Sequence, residues 1–241
     1  MLEKTRGIVF HHVKFSDTSI IAKIYTEQFG LQSYLVKGLR NRRSETKKAL
    51  FQHLNLVEMV VSHRENKEIQ HLKALQIAYP FQSIPFDIRK SAVALFLNEV
   101  LYQVIREEEP NQELFDFLFR SVMTFDMLDK NATSFHLAFL IQLSRFLGFF
   151  PKNNYSDSES VFDLTEGRFS ARSGPASLMT GQPFSAYIAQ LSNVPGDLQD
   201  VFEIPQQHRQ QLLEVILNYY RYHIPGISEF KSHLVLHEVL R

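Results

Sequence analysis

The hydrophobic rhythm of this chain changes at Tyr79-Pro80, and that change calls for two kinds of architecture in one polypeptide. Before it, β-branched and aromatic stretches are separated by turn signals. Strands are expected at Arg6–Val13, Ser19–Thr26 and Leu31–Val36, and at residues 54–62 (LNLVEMVVS) and 69–77 (IQHLKALQI). Along Ser19–Thr26, Ile20, Ala22 and Ile24 alternate with Ile21, Lys23 and Tyr25, giving one apolar face and one mixed face. Phe29-Gly30 supplies a turn. About five strands in 80 residues suit a small antiparallel sheet or barrel.

After Pro80 the apolar residues recur at helical spacing. Val93, Phe96, Leu97, Val100, Leu101, Val104 and Ile105 form one stripe of a helix from Asp87 to about Glu108, which the run Glu107-Glu108-Glu109-Pro110 ends. A second helix is expected from Gln112 to Asp129. A third, Thr133–Leu147, is apolar on most sides and so is the buried one; Gly148 and Pro151 close it. Residues 152–203 are irregular, with a small hairpin at 161–171 (VFDLTEGRFSA) turning at Glu166-Gly167. A helix starts near Pro205, and LVLHEVL forms a last short one.

The formal net charge is zero, but the distribution is bipolar. Residues 1–80 hold 13 Lys+Arg against 7 Asp+Glu, and residues 81–241 hold 13 against 19. The positive half is therefore the one whose field attracts a phosphate backbone. Its densest stretch is KGLRNRRSETKK, which places Lys37, Arg40, Arg42, Arg43, Lys47 and Lys48 against a single acid, Glu45. A five-stranded barrel can be an OB-fold, which binds single strands with basic residues and stacked aromatics. Tyr34 and Phe51 flank the basic loop, and Lys23 and Tyr25 lie on a neighbouring strand. Set against this, aromatic strand residues are commonly core, and a basic run is commonly a solvated loop.

Other chemistry finds little support. Without cysteine there is no disulfide, thiolate zinc site or cysteine nucleophile. His233 and His237 are spaced i, i+4, but no third ligand accompanies them, and the two rings of His11-His12 point to opposite faces of a strand. No phosphate-loop, dinucleotide or nucleophile-elbow motif is present. No catalytic or metal residue is assigned, and an enzyme is not expected. In RFLGFFP, Arg145 beside Phe146 and Phe149 could form a pocket for a partner's hydrophobic, carboxylate-ending tail; core packing is the competing reading. No apolar run approaches a membrane span, and the N-terminus lacks a secretory layout, which points inside the cell.

Several stretches together resemble the RecO family of bacterial recombination mediators. GIVFHHVKFSDTSIIAKIYTEQFGLQSYLVKGLRNRRS carries the similarity most specifically, through Thr26 and Gly30 and then Lys37, Gly38 and Arg40. SRFLGFFP and LNYYRYHIPGISEFKSHLVLHEVL extend it. The resemblance implies an α+β protein with an N-terminal five-stranded OB-fold barrel (1–80), followed by a mainly α-helical domain (81–241) with a small hairpin insertion. It implies binding of single- and double-stranded DNA, annealing of complementary strands, and assistance to RecA loading together with RecR. It also implies recognition of the tail of single-strand-binding protein. Many members carry a four-cysteine zinc module after the segment matching RFLGFFP; residues 152–203 are its cysteine-free counterpart, so no cofactor is expected.

The expected DNA contacts are Lys37, Arg40, Arg42, Arg43, Lys47 and Lys48, with Lys23 and Tyr25 secondary. Arg145, Phe146 and Phe149 are the expected partner pocket, and the cytoplasm, in association with the nucleoid, is the expected location. An RNA-binding barrel and a protein scaffold without nucleic-acid binding remain the alternatives.

Overall fold

A computed structural model of the chain describes residues 2–38, 48–64, 66–130, 132–171 and 174–240. Five strands open the chain: β1 (Leu2–Ser16), β2 (Ser19–Thr26), β3 (Gly30–Lys37), β4 (Leu56–Ser62) and β5 (Ile69–Ile77). They close into a barrel in the order β1-β2-β3-β5-β4, an OB-fold. β1 is longer at both ends than the predicted Arg6–Val13 because closure makes it serve two neighbours. Its first half pairs with β4 (Leu2↔Ser62 to Ile8↔Leu56), and Gly7 to Ser16 pair with β2. Register shifts between Val9 and His11 and between Lys14 and Ser16 bend it around the barrel. The inward residues Ile20, Ala22, Ile24, Tyr34, Val36 and Met59 make the core.

The spacing of Thr26 and Gly30 has a structural explanation. The Thr26 hydroxyl donates to Gly30 O at 2.9 Å and accepts from Phe29 N at 3.2 Å, tying the β2–β3 turn. Gly30 has φ +61, and a Cβ there would lie 2.5 Å from Glu109 O. Only glycine meets both demands. Leu31 N donates to Glu107 O at 3.0 Å, so the acidic run lays its backbone along the edge of the barrel. This is why helix α1 (Ile88–Val104) ends short of the predicted Glu108, with Ile105 already extended.

Helix α2 (Gln112–Met127) follows, and its apolar side covers part of the outside of the barrel. Phe115 lies 6.1 Å from Tyr25, and Arg6 lies over the Phe115 and Phe119 rings. Arg6 also holds Glu27 in a two-point bond of 2.9 and 2.7 Å. Hydrogen bonding to Arg6 keeps the Glu27 carboxyl below its ordinary value. Asn98 of α1 donates to Phe10 O at 2.8 Å. Strands and both helices thus form one compact unit, Met1–Asp126, and Met127–Arg241 form another.

Asp126 secures the crossing from strands to helices. Its carboxylate accepts from the backbone N–H groups of Gln82, Ser83 and Ile84 at 2.8, 2.9 and 2.8 Å, and from the Tyr79 hydroxyl at 3.2 Å. Burial alone would raise its pKa, but the backbone N–H groups outweigh burial and lower it. Lys90 Nζ completes the knot, donating to Ser83 Oγ at 2.6 Å and Asp126 O at 2.9 Å.

In the second unit, helix α3 (Phe135–Phe146) is buried at each position from Phe135 to Ser144, in agreement with its predicted central role. A sheet of β6 (Val161–Asp163), β7 (Arg168–Ser170) and β8 (Met179–Thr180) follows, ordered β7-β6-β8. Then come α4 (Phe184–Ser192), α5 (Gln206–His223) and α6 (Ser232–Val239). The predicted hairpin is present, with β8 added.

Its interior is aromatic: Phe162 and Phe169 are buried at 5.0 Å from each other, and the Tyr219 ring packs edge-on to Phe162 at 5.3 Å. Asn154 bonds Phe169 through both its amide nitrogen and oxygen, at 2.7 and 3.0 Å. Gly167 (φ +60) passes so close to Tyr219 that a Cβ would lie 2.5 Å from the hydroxyl. The nearby Asp163 carboxylate is taken by Thr165 N and Oγ1, at 2.8 and 2.6 Å. This donor set does not fit a structural zinc; apolar packing does the holding.

Three consequences are measurable. Asp126→Asn removes the charge that several N–H groups share and is expected to destabilise the protein by about 1–3 kcal/mol in denaturant unfolding at neutral pH. Because the carboxyl is held below 3.8, that difference is full above pH 3.8 and disappears as pH falls through the lowered value. Phe162→Ala is expected to cost about 3–5 kcal/mol by emptying the small sheet. Chelator, in contrast, is expected to leave the melting temperature of the native protein unchanged.

Candidate nucleic-acid interface

One outer face of the barrel is built by cross-strand rows. Lys23, Ser33 and Ile69 form one row over β2, β3 and β5, and Ile21, Leu35 and His71 form the next. The β3–β5 pairing is parallel and stops at Leu35–His71. Just beyond, a register shift between Val60 and Val61 leaves Lys73 as an extra residue in β5, between Leu72 and Ala74. The parted strands leave a notch of about 310 Å³ lined by Leu35, Lys37, His71, Leu72 and Lys73. Lys37, His71 and Lys73 are all exposed. A bulge beside a strand end is a common way to aim a side chain into a site.

Among the predicted contacts, Lys37 ends β3 and lines this notch, and Lys48 is exposed where the described chain resumes. Arg40, Arg42, Arg43 and Lys47 lie outside the described residues. Lys23 is half-buried on the same outer face. Tyr25 must be reassigned. It is 1% exposed, its ring stacked 6.0 Å from Phe10 and packed on Phe115, and burial pushes its hydroxyl up to about 12. Alternation put Tyr25 on the outer side of the sheet correctly, but α2 covers that end of it. Tyr34 and Phe51, which flank the basic loop in sequence, are barrel core.

His71 and Lys73 were missed by the sequence reading. Only the non-local β3–β5 pairing brings them to Lys37, and a residue pattern carries no signal for it. Arg6, counted in the basic half, is engaged by Glu27 at 2.7 Å and Asp116 at 3.4 Å, an internal role.

In the second unit, Arg145 is exposed at the end of α3 with its guanidinium 3.7 Å over the Phe150 ring. Phe146 is half-buried. Phe149 is a core residue and is no longer a candidate for a pocket wall. It is 8% exposed, with Tyr219, Tyr220 and His223 about its ring at 5.3, 5.0 and 5.0 Å. His233 and His237 have ring centroids 5.5 Å apart, but among the described residues no three His, Cys, Asp or Glu side chains gather as metal ligands. Among the described residues no helix is long and apolar enough to cross a membrane.

Comparison with known proteins supplies the family. Residues 1–81 match the model of the recombination protein O N terminal, and residues 85–233 match that of its C terminal. The DNA repair protein RecO of Bacteroides fragilis is 38% identical over 240 residues, covering 99% of each chain. That of Flavobacterium psychrophilum is 34% identical with 98% of each covered, and that of Porphyromonas gingivalis 29% identical with 96% of each covered. Matches along both units, with a relative 38% identical over nearly the whole of each chain, place the chain in the RecO family of DNA repair proteins.

Proposed function

We propose that this protein binds single- and double-stranded DNA through the barrel, domain 1–80, and anneals complementary strands. It would thereby assist RecA loading together with RecR in recombinational repair. The observation that carries the reading is the convergence of Lys37 and Lys73 on one exposed notch at the end from which the basic run 37–48 departs. Cations on a common rim neutralise phosphates of either strand, and two screened strands can pair through their own bases. The protein would contribute electrostatics and proximity rather than catalysis, in the cytoplasm and at the nucleoid.

The mainly helical domain, 81–241, would make the protein contacts. Arg145, with Phe146 and Phe150 beside it, is the proposed seat for the carboxylate-ending tail of single-strand-binding protein. A guanidinium fixed over a ring still presents its edge donors to a carboxylate.

The test is fluorescence anisotropy of a labelled mixed-sequence single strand across a salt series. If about five or six cations touch phosphates, log affinity falls against log salt with a slope near −4. Lys37→Glu with Lys73→Glu, folding checked by circular dichroism, is expected to weaken binding at least tenfold and flatten the slope by about 1.4. Arg40→Glu, Arg42→Glu and Arg43→Glu together should abolish binding, and annealing of complementary oligonucleotides should fail with it. Equal competition by matched RNA would favour an RNA-binding barrel, and absence of binding by the native protein would favour a scaffold.

A further inference from the structure

The five strands contain four phenylalanine or tyrosine residues, and three of them (Phe10, Tyr25 and Tyr34) are fully buried. The fourth, Phe15, is 60% exposed, and Val13 beside it is 48% exposed. Phe15 is the extra residue of the second irregularity in β1, between Lys14↔Ile20 and Ser16↔Ser19, so it lies outside the ladder pairing. Among the described residues no other ring stacks on it. A lone exposed apolar side chain is ordinary; the surroundings set this one apart.

Ser16 pairs with Ser19, and Ser19 pairs with Lys37. Phe15 therefore stands next to a row that runs across β2 to the rim of the Lys37–His71–Lys73 notch, about 10 Å away at two strand spacings. Alongside it, the outward row Val13, Ile21, Leu35 is apolar throughout. The hairpin tip carries two local contacts: Ser16 Oγ and Ser19 Oγ are 2.5 Å apart, and Lys14 Nζ meets Asp17 at 2.8 Å. That ion pair also neutralises the one acid at the tip.

We propose that Phe15 is the stacking platform for an unpaired base of a single DNA strand whose phosphates lie at Lys37 and Lys73. This rests on the DNA-binding reading above and gives it a preference for single strands. A duplex keeps its base faces stacked internally and offers none to Phe15, whereas every unpaired base has a free face. The bulge holds the flat ring out of the ladder, on the exposed surface where a base can reach it.

The chain contains no tryptophan, so Phe15→Trp creates a single fluorescent reporter at the site. Its emission is expected to be quenched on titration with an oligothymidylate and unchanged with a matched duplex. Phe15→Ala should lose about 5- to 100-fold in single-strand affinity while keeping the salt slope and the duplex affinity of the native protein. Unchanged single-strand affinity in Phe15→Ala, with the native protein binding normally, would overturn the stacking role and leave the DNA-binding reading intact. Equal losses for single strand and duplex would also overturn it. Failure of the native protein to bind either form would instead remove the reading on which it rests.

Discussion

Asp126 stands near the C-terminal end of α2, where the helix dipole disfavours a carboxylate. It is nevertheless 2% exposed and ionised, because the segment from Tyr79 to Ile84 turns three backbone N–H groups and a hydroxyl toward it. Those donors have no strand or helix ladder to join. Without the carboxylate the segment would bury unpaired N–H groups, and without the segment the carboxylate would be a bare buried charge; each makes the other tolerable. Lys90, also buried, closes the arrangement from α1. The crossing thus ties the segment that leaves the barrel to the start of α1 and the end of α2.

The cations of the basic half divide into two populations by what surrounds them. Arg6 faces Glu27 and Asp116 and two phenylalanine rings, and it helps hold α2 to the strands. Lys37 is exposed at a strand end, Lys48 where the described chain resumes, and Lys73 at the bulge within β5. A count of charges treats these alike. Only the second population contributes to a surface potential that a polyanion can reach, because the field of an internally neutralised cation is cancelled at short range.

The small sheet of the second unit is closed by Phe162, Phe169 and Tyr219 with an asparagine clamp from Asn154. Apolar burial and a coordination sphere solve the same problem, which is to give a short sheet an interior it is too small to build alone. The hairpin itself was legible from the sequence, in the apolar residues that flank the Glu166-Gly167 turn. The part taken by Tyr219 was not, because it arrives from a helix more than 50 residues further on.

Local pattern determined the change from strands to helices near Pro80, the five strands, the buried third helix, the hairpin and the basic run, since each depends on residues a few positions apart. The Thr26–Gly30 pair was visible as a motif, although its reason, the backbone of Glu109 against Gly30, was not. Tertiary structure decided which side chains remain in reach of a ligand. Tyr25 and Phe149 looked available and are buried by distant elements, while Lys73 and His71 looked unremarkable and meet Lys37 through a parallel pairing. Phe15 was exposed by a bulge that no alternation pattern announces. Periodicity specifies which way a side chain points from its own strand or helix; what covers it, and what it meets across the barrel, is set by contacts between residues far apart in the chain.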